Sequence, residues 1–250
     1  MTTDDAAAVD SDAAREPRPS GRRRLWLLVR DVLVILAIAL VVSFLVKTFL
    51  VRSFYIPSGS MEQTLLQDDR ILVDELTPRF GGYERGDVVV FRDPGGWLPP
   101  QMTPERPALV EAFDWVLSLV GLSAPDSDEH LIKRIVGVPG DHVVCCNAMG
   151  QVTVNDVPLD ESPYLSLADG QRSANPLPYD VVVPEGSLWV LGDNRDNSRD
   201  SRYHVDQPSR GFVPIDNVVG RAFLITWPFD RFGPIDFHHD VFAGVPAQDD

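Results

Sequence analysis

The sequence predicts a mainly β protein, in which one N-terminal transmembrane helix precedes an antiparallel β-sheet body. The helix is predicted from a single long apolar run near the start of the 250-residue chain. The body is predicted from short runs of strand-forming residues separated by Gly, Pro and Asp, a pattern typical of antiparallel sheets. Once the first ~55 residues are set aside, about 195 remain, which is enough for a sizeable core.

The N-terminal part is predicted as a disordered cytoplasmic tail over residues 1–24 and a transmembrane anchor over residues 25–51. The tail shows no apolar periodicity. The anchor is apolar from Val32 to Val46 apart from Ser43, and with its flanks it can cross ~30 Å of hydrocarbon. A cleaved signal peptide is the alternative, but the run is long and the sequence after it is a poor cleavage site.

Charge is distributed unevenly along the chain. Arginines cluster before the anchor, whereas one lysine and one arginine follow it, which favours a cytoplasmic N-terminus and a body on the outer side. Residues 53–250 hold 31 acidic and 14 basic side chains, a net charge of −17. This acidic excess argues against nucleic acid as a partner.

The body is predicted over residues 52–235 and is followed by a flexible C-terminal tail over residues 236–250. Apolar residues at helical spacing predict a helical insert at about 108–121, too short and polar for a second span, which packs on the body or lies in the membrane interface. The predicted strands are Arg70–Glu75, Asp87–Arg92, Leu131–Val138, His142–Cys146, Gln151–Val154, Asp180–Val183, Ser187–Leu191 and Val218–Trp227.

The two cysteines, Cys145 and Cys146, are neighbours in the sequence. They could be buried thiols, a vicinal disulfide or half of an intermolecular link, because bridges prefer a larger Cα separation than ~3.8 Å. No paired ligand cluster accompanies them. We therefore expect no metal and no cofactor.

Two serines, Ser58 and Ser60, directly follow the anchor in the stretch Ile56–Met61. A serine hydroxyl is a weak nucleophile unless a base activates it. If Ser60 is a nucleophile, its chemistry takes place at a membrane surface. The rest of the chain must then supply the base.

Lysine is rare, since Lys47 and Lys133 are the only two among 22 basic residues. Arginine cannot lose its proton in a protein, whereas burial can drive a lysine neutral. Lys133 lies in a predicted apolar strand, which makes it a candidate base, although a structural lysine that reaches water is the alternative. A second candidate element is Gly192–Arg202, whose alternating acids, amides and arginines predict a hydrogen-bonded loop that could orient the base.

Four stretches together resemble the bacterial type I signal peptidases, which are membrane-anchored Ser-Lys proteases that remove signal peptides from exported proteins. They occur in the family's order, directly after an N-terminal anchor, and the resemblance spans most of residues 25–227. One departure is Gln63, where the family commonly has proline. The four stretches are Pro57–Leu65, Gly86–Phe91, Lys133–Asp141 and Gly192–Arg202.

The resemblance implies a nucleophile, Ser60, and a general base, Lys133. Ser58 would donate to the oxyanion together with the backbone N–H of Ser60, and Ser198 would orient the lysine amine. A supporting network and a substrate pocket for small residues are implied as well. The network comprises Asp200, Arg202 and Arg134, and the pocket comprises Phe54, Ile56, Pro57, Met61, Leu65 and Ile132.

The implied activity is cleavage of preproteins after an Ala-x-Ala type site. The implied partners are signal-peptide-bearing preproteins, membrane lipid and a neighbouring export machinery, at a cell membrane crossed once. Two alternatives stay open. One is a Ser-His-Asp hydrolase using His142 or His204 with Asp200, which lacks a Gly-x-Ser-x-Gly elbow; the other is a non-catalytic receptor or folding module for exported chains.

Overall fold

The computed structural model describes residues 21–49, 51–76, 80–99, 130–167 and 177–246, in two units, Met1–Phe44 and Leu45–Asp250. Helix α1 spans Gly21–Phe49. Its stretch Leu25–Val42 has a mean hydropathy of 2.6 and no buried residue, and it is the one helix among the described residues that is long and apolar enough to cross a membrane. The helical insert predicted near 108–121 lies outside the described residues.

Twelve strands form in the described part of the second unit, and all eight predicted strands are among them to within one residue at either end. Four further strands were not predicted. Three of them have only two residues each, and the fourth, β1, begins where the anchor was predicted to end. The strands are β1 (Val51–Tyr55), β2 (Arg70–Asp74), β3 (Val88–Arg92), β4 (His130–Gly137), β5 (His142–Cys145), β6 (Val152–Val154), β7 (Val157–Pro158), β8 (Tyr179–Val182), β9 (Ser187–Leu191), β10 (Val213–Pro214), β11 (Val218–Trp227) and β12 (Gly233–Pro234).

The strands pair antiparallel, as the sequence predicts, and they form two sheets. The larger sheet has the order β1-β2-β11-β3-β4-β9-β10, with β12 added to β11, and the smaller has the order β7-β6-β5-β8. In the larger sheet β4 lies between β3 and β9, with Lys133 opposite Val89 and Arg134 opposite Leu191. A central strand is held on both sides by hydrogen bonds, so it is a rigid support for a functional side chain.

Three clusters of buried apolar side chains surround these strands. The first lies under β1, β2 and β11 and includes Phe54, Met61 and Ile132. The second joins the two sheets around Trp189. The third packs Phe91 and other residues against the end of the larger sheet. The residues from Ser58 to Leu65 thus rest on the first cluster, which fixes the turn that carries Ser60.

The described part of the C-terminal segment, residues 236–246, packs against the body, whereas a flexible tail was predicted over 236–250. Phe242 and Val245 are 5% and 7% exposed, and both pack in the second cluster. The carbonyl oxygen of Pro246 accepts a hydrogen bond from Arg85 at 3.1 Å. This packing could not be predicted from the sequence, because a four-residue 3₁₀ turn, His239–Phe242, has no periodicity long enough to show which face is buried.

Cys145 and Cys146 form a disulfide bond with each other. Of the three alternatives left open by the sequence, the structure has the vicinal disulfide. Cys145 lies at the end of β5, where it pairs with Val152 and Tyr179 of the neighbouring strands. The disulfide therefore belongs to the smaller sheet, whereas the serines and Lys133 are associated with the larger one.

Candidate active site

Ser60 lies in a buried 3₁₀ turn, Gly59–Met61, that begins four residues after the end of β1. Its side chain is 5% exposed. Its carbonyl oxygen accepts a hydrogen bond from the backbone N–H of Asn194 at 3.1 Å, which ties the turn to the Gly192–Arg202 loop. The Ser58 hydroxyl lies 3.4 Å from the Ser60 hydroxyl, so the structure brings the two serines together.

Lys133 reaches Ser60 from strand β4. Its Nζ is 2.8 Å from the Ser60 Oγ and donates a second bond to the Ile132 carbonyl at 2.8 Å. The side chain is 4% exposed. Burial lowers the pKa of Lys133 to about 8, while the carboxylates of Asp200 and Asp193 act in the opposite direction. About a tenth of the amine is therefore neutral at pH 7 and about half at pH 8, and this neutral form is what a base requires.

Both carboxylates near Lys133 are neutralised by arginines. Arg134 donates two bonds of 2.8 Å to Asp193, and Arg202 donates bonds of 2.7 and 2.9 Å to Asp200. All four side chains are 5% exposed or less. A buried charge is tolerated when it is paired in this way. Because each carboxylate already has a cationic partner, neither needs the lysine proton for neutrality.

The pKa of Asp200 is held low although burial acts to raise it, because Arg202 and the Gly192 N–H stabilise the carboxylate. The Gly192 N–H donates to Asp200 at 3.0 Å. Asp200 also accepts a backbone bond from Arg202 and so caps the 3₁₀ turn Ser201–Tyr203. Asp200 and Arg202, the two loop residues that the resemblance implies for the supporting network, thus form a buried ion pair within the loop.

Ser198 is buried and packs beside Gly192, but no hydrogen bond joins its hydroxyl to the lysine amine among the described residues. A β-carbon on Gly192 would be 2.2 Å from the Ser198 Oγ and 2.5 Å from the Ser60 carbonyl oxygen. Both groups thus pack against the bare α-carbon of Gly192. The hydrogen bonds of Lys133 go to Ser60 and Ile132 instead.

The predicted pocket residues divide into two sets by their exposure. Met61 and Leu65 have no exposed surface, and Phe54, Ile56 and Ile132 are 2–7% exposed. These five side chains belong to the first core cluster. Pro57 is exposed. In this structure Met61 and Leu65 therefore pack in the core beneath the Ser60 turn and present no surface to solvent.

Neither histidine of the alternative hydrolase contacts Ser60. His204 stacks on Trp97 with ring centroids 4.4 Å apart, and the Nε2 of His142 lies 2.7 Å from Asp180 on the smaller sheet. The Ser60 hydroxyl is hydrogen-bonded to Lys133 and Ser58. The geometry thus favours lysine over histidine as the base.

Two contributors to the site were missed from the sequence. The ring of Tyr164 lies 4.2 Å from the guanidinium of Arg134. The hydroxyl of Tyr164 donates to Glu161, which in turn pairs with the buried Arg195. These residues lie about 30 positions away from both the lysine strand and the Gly192–Arg202 loop, and no spacing in the sequence relates them to either.

A family model described as "Signal peptidase, peptidase S26" matches residues 29–227 of this chain, including Ser60, Lys133 and the whole Gly192–Arg202 loop. The chain belongs to the signal peptidase family, peptidase S26. It is a serine endopeptidase that removes signal peptides, and its substrates are preproteins that carry them.

Curated relatives agree with this membership. Signal peptidase I of Mycobacterium tuberculosis is 41% identical over 249 residues, covering 90% of this chain and 81% of the relative. The probable signal peptidase I of Mycobacterium leprae is 36% identical, covering 87% and 81%. A solved signal peptidase I from Enterococcus faecalis V583 matches 56% of this chain and 95% of its own, at 23% identity and a TM-score of 0.33.

Proposed function

We propose that this signal peptidase cleaves preproteins by a Ser60 nucleophile and a Lys133 general base. The observation that carries the proposal is the 2.8 Å hydrogen bond between the two side chains in a site with almost no solvent exposure. The neutral amine removes the Ser60 proton as the hydroxyl oxygen bonds to the scissile carbonyl carbon. The resulting ammonium gives that proton to the departing amine, and the regenerated amine then activates the water that hydrolyses the ester.

The oxyanion of the tetrahedral intermediate is stabilised by the Ser58 hydroxyl and the Ser60 N–H. Ser58 lies beside the nucleophile and is exposed, so it can turn toward a bound carbonyl. One such donor typically contributes about 3 kcal/mol to transition-state stabilisation. The buried Ser198 lies within the same site and orients the amine once substrate is bound.

Cleavage follows a small residue in an Ala-x-Ala type site. The apolar side chains beneath the nucleophile turn are tightly packed, with Phe54, Ile56 and Ile132 presenting only a few per cent of their surface. A shallow pocket with such walls accepts a methyl group and rejects a bulky side chain.

The test is cleavage of a preprotein with an Ala-x-Ala site, in detergent, with the product N-terminus read by mass spectrometry. We expect Ser60→Ala and Lys133→Arg to lose activity, because arginine keeps the charge but cannot be a neutral base. Lys47→Arg is the matched control, since it makes the same change at the other lysine and should retain activity. An active Lys133→Arg enzyme would place the base elsewhere.

The helix α1 anchors the enzyme with its N-terminus in the cytoplasm and the body outside, near the export machinery. The arginine cluster before the apolar run supports this orientation. Protease added to spheroplasts should digest the body, whereas protease added to inverted vesicles should leave it intact. The opposite pattern would reverse the topology. Crosslinking to the export machinery in intact cells tests the proposed proximity.

A lipid-facing surface is supported by three exposed aromatic residues at the end of β11: Trp227, Phe229 and Phe232 are 47%, 77% and 61% exposed. Aromatic side chains of this kind favour the membrane interface. In vesicles with brominated acyl chains, tryptophan quenching should be smaller for Trp227→Phe than for wild type. Equal quenching would show that this surface stays in water. Trp97→Phe, which alters a buried tryptophan of the body, is the control.

A further inference from the structure

Asn194 joins the nucleophile turn to the Gly192–Arg202 loop with three of its polar groups. Its backbone N–H donates to the Ser60 carbonyl at 3.1 Å. Its side-chain oxygen accepts from the Asn197 N–H at 3.2 Å, which caps the next 3₁₀ turn. Its side-chain amide donates to the Glu62 carboxylate at 2.7 Å. One residue thus contacts the turn that carries Ser60 through its backbone N–H, and its side chain joins Glu62 to the loop beside that turn.

Glu62 completes this contact from the other side. It directly follows the turn Gly59–Met61, and its N–H closes that turn by donating to the Gly59 carbonyl at 3.2 Å. One carboxylate oxygen binds Asn194, while the other lies over the α-carbon of Gly59, where an added β-carbon would be 2.4 Å away. The carboxylate therefore contacts the turn immediately before the nucleophile. Among the described residues, the side-chain partner of this partly buried carboxylate is a neutral amide and not an arginine.

We propose that Glu62 and Asn194 are positioning residues, whose carboxylate–amide hydrogen bond holds the Ser60 turn at the distance from Lys133 that acylation requires. The inference rests on the proposed roles of Ser60 and Lys133. Neither positioning residue touches the reacting atoms. They act on the turn, because displacing a nucleophile by about 1 Å can cost on the order of a hundredfold in rate.

The pair allows a reciprocal exchange of donor and acceptor. Asn194→Asp keeps the shape and the acceptor for Asn197 but places a second carboxylate beside Glu62, where like charges repel. Glu62→Gln supplies an amide that can donate. Combining the two changes restores one donor and one acceptor, in reversed order, at the same two positions.

The experiment measures kcat and KM for preprotein cleavage by the full-length enzyme in detergent at pH 7.5. We expect Asn194→Asp to lower kcat about 10- to 100-fold with KM little changed. Glu62→Gln alone should stay within about threefold of wild type, because its carbonyl can still accept from Asn194. The double variant should recover to within about threefold of wild type. Full activity of Asn194→Asp, or no recovery in the double variant, would overturn the proposal.

Glu62→Ala provides a second test that does not depend on the stability of Asn194→Asp. Its side chain is only partly buried, so the variant should fold, and thermal unfolding checks this. We expect kcat to fall while KM and the unfolding midpoint stay close to wild type; unchanged kcat would contradict the inference. Glu185→Gln and Asn217→Ala are control changes of an exposed acid and an amide away from the turn. Ser60→Ala separates the two proposals, because it is inactive if the proposed function holds, whether or not Glu62 and Asn194 matter.

Discussion

At the scale of the residue, the chemistry depends on how Lys133 is kept partly neutral. Burial lowers its pKa to about 8, although the nearby carboxylates of Asp200 and Asp193 act to raise it. Arg202 and Arg134 neutralise those carboxylates. Because a base acts only in its neutral form, kcat/KM should rise with pH and level off above a pH of about 8.

We predict that Arg202→Gln moves this rise to higher pH. Asp200 would lose its partner, its negative charge would favour the ammonium form of Lys133, and less neutral amine would be present at pH 7. The expected result is a fall in kcat/KM of about tenfold at pH 7 that is largely recovered at pH 9.5. A pH–rate profile measures it. Arg52→Gln, which breaks a more exposed ion pair with Glu75, should leave the profile unchanged.

A second residue-scale prediction concerns Gly192. Its α-carbon is packed so closely that a β-carbon would lie 2.2 Å from the Ser198 Oγ and 2.5 Å from the Ser60 carbonyl oxygen. Gly192→Ala should therefore displace the nucleophile turn, with an unfolding cost of about 1–3 kcal/mol and a fall in kcat of at least tenfold. Denaturant unfolding and preprotein cleavage measure the two effects. Gly233→Ala is the control, because nothing lies within 4 Å of its added β-carbon.

At the scale of the element, the 3₁₀ turn Ser201–Tyr203 ends at a buried histidine. His204 is 6% exposed and stacks on Trp97. Burial, aided by the charge of Arg199, lowers the pKa of His204. The unfolded chain therefore binds the proton more tightly than the folded one, so stability is full above a pH of about 6.5 and decreases as the pH falls below it.

We predict that His204→Phe reduces this acid sensitivity while keeping the aromatic stack. The decrease in melting temperature between pH 7.5 and pH 5 should be smaller in the variant than in wild type. Thermal unfolding at the two pH values measures it, and His142→Gln, at a side chain that is 41% exposed, serves as the control. An identical decrease in wild type and His204→Phe would show that other groups cause the acid sensitivity.

The C-terminal segment gives a second prediction at this scale. Because Phe242 is 5% exposed and packs in the core between the two sheets, Phe242→Ala should lower the free energy of unfolding by about 3–5 kcal/mol. Phe229→Ala, at a residue that is 77% exposed, should change it by less than about 0.5 kcal/mol. Denaturant unfolding compares them. Similar small values for both would mean that the segment contributes little to the core.

At the scale of the whole molecule, the features that could be predicted from the sequence are those that depend on a short stretch of chain or on the chemistry of one residue type. The strand pattern located β4, and the scarcity of lysine pointed to Lys133, because only a lysine can become neutral there. The packing of Tyr164 on Arg134 could not be predicted, since nothing in the spacing of these residues indicates that the fold brings them together. Phe242 was missed for a related reason, because a short 3₁₀ turn gives no periodic signal.

Because lysine is scarce, the body also offers very few reaction sites to amine-reactive reagents. Lys133 is the only lysine after the anchor, and it is almost fully buried. Acylating reagents that react with primary amines therefore find no lysine on the surface of the body, because its exposed cations are arginines. An amine-reactive label that reaches the body in a folded sample must have entered the Ser60 site. Mass spectrometry of a single peptide would then report how open that site is.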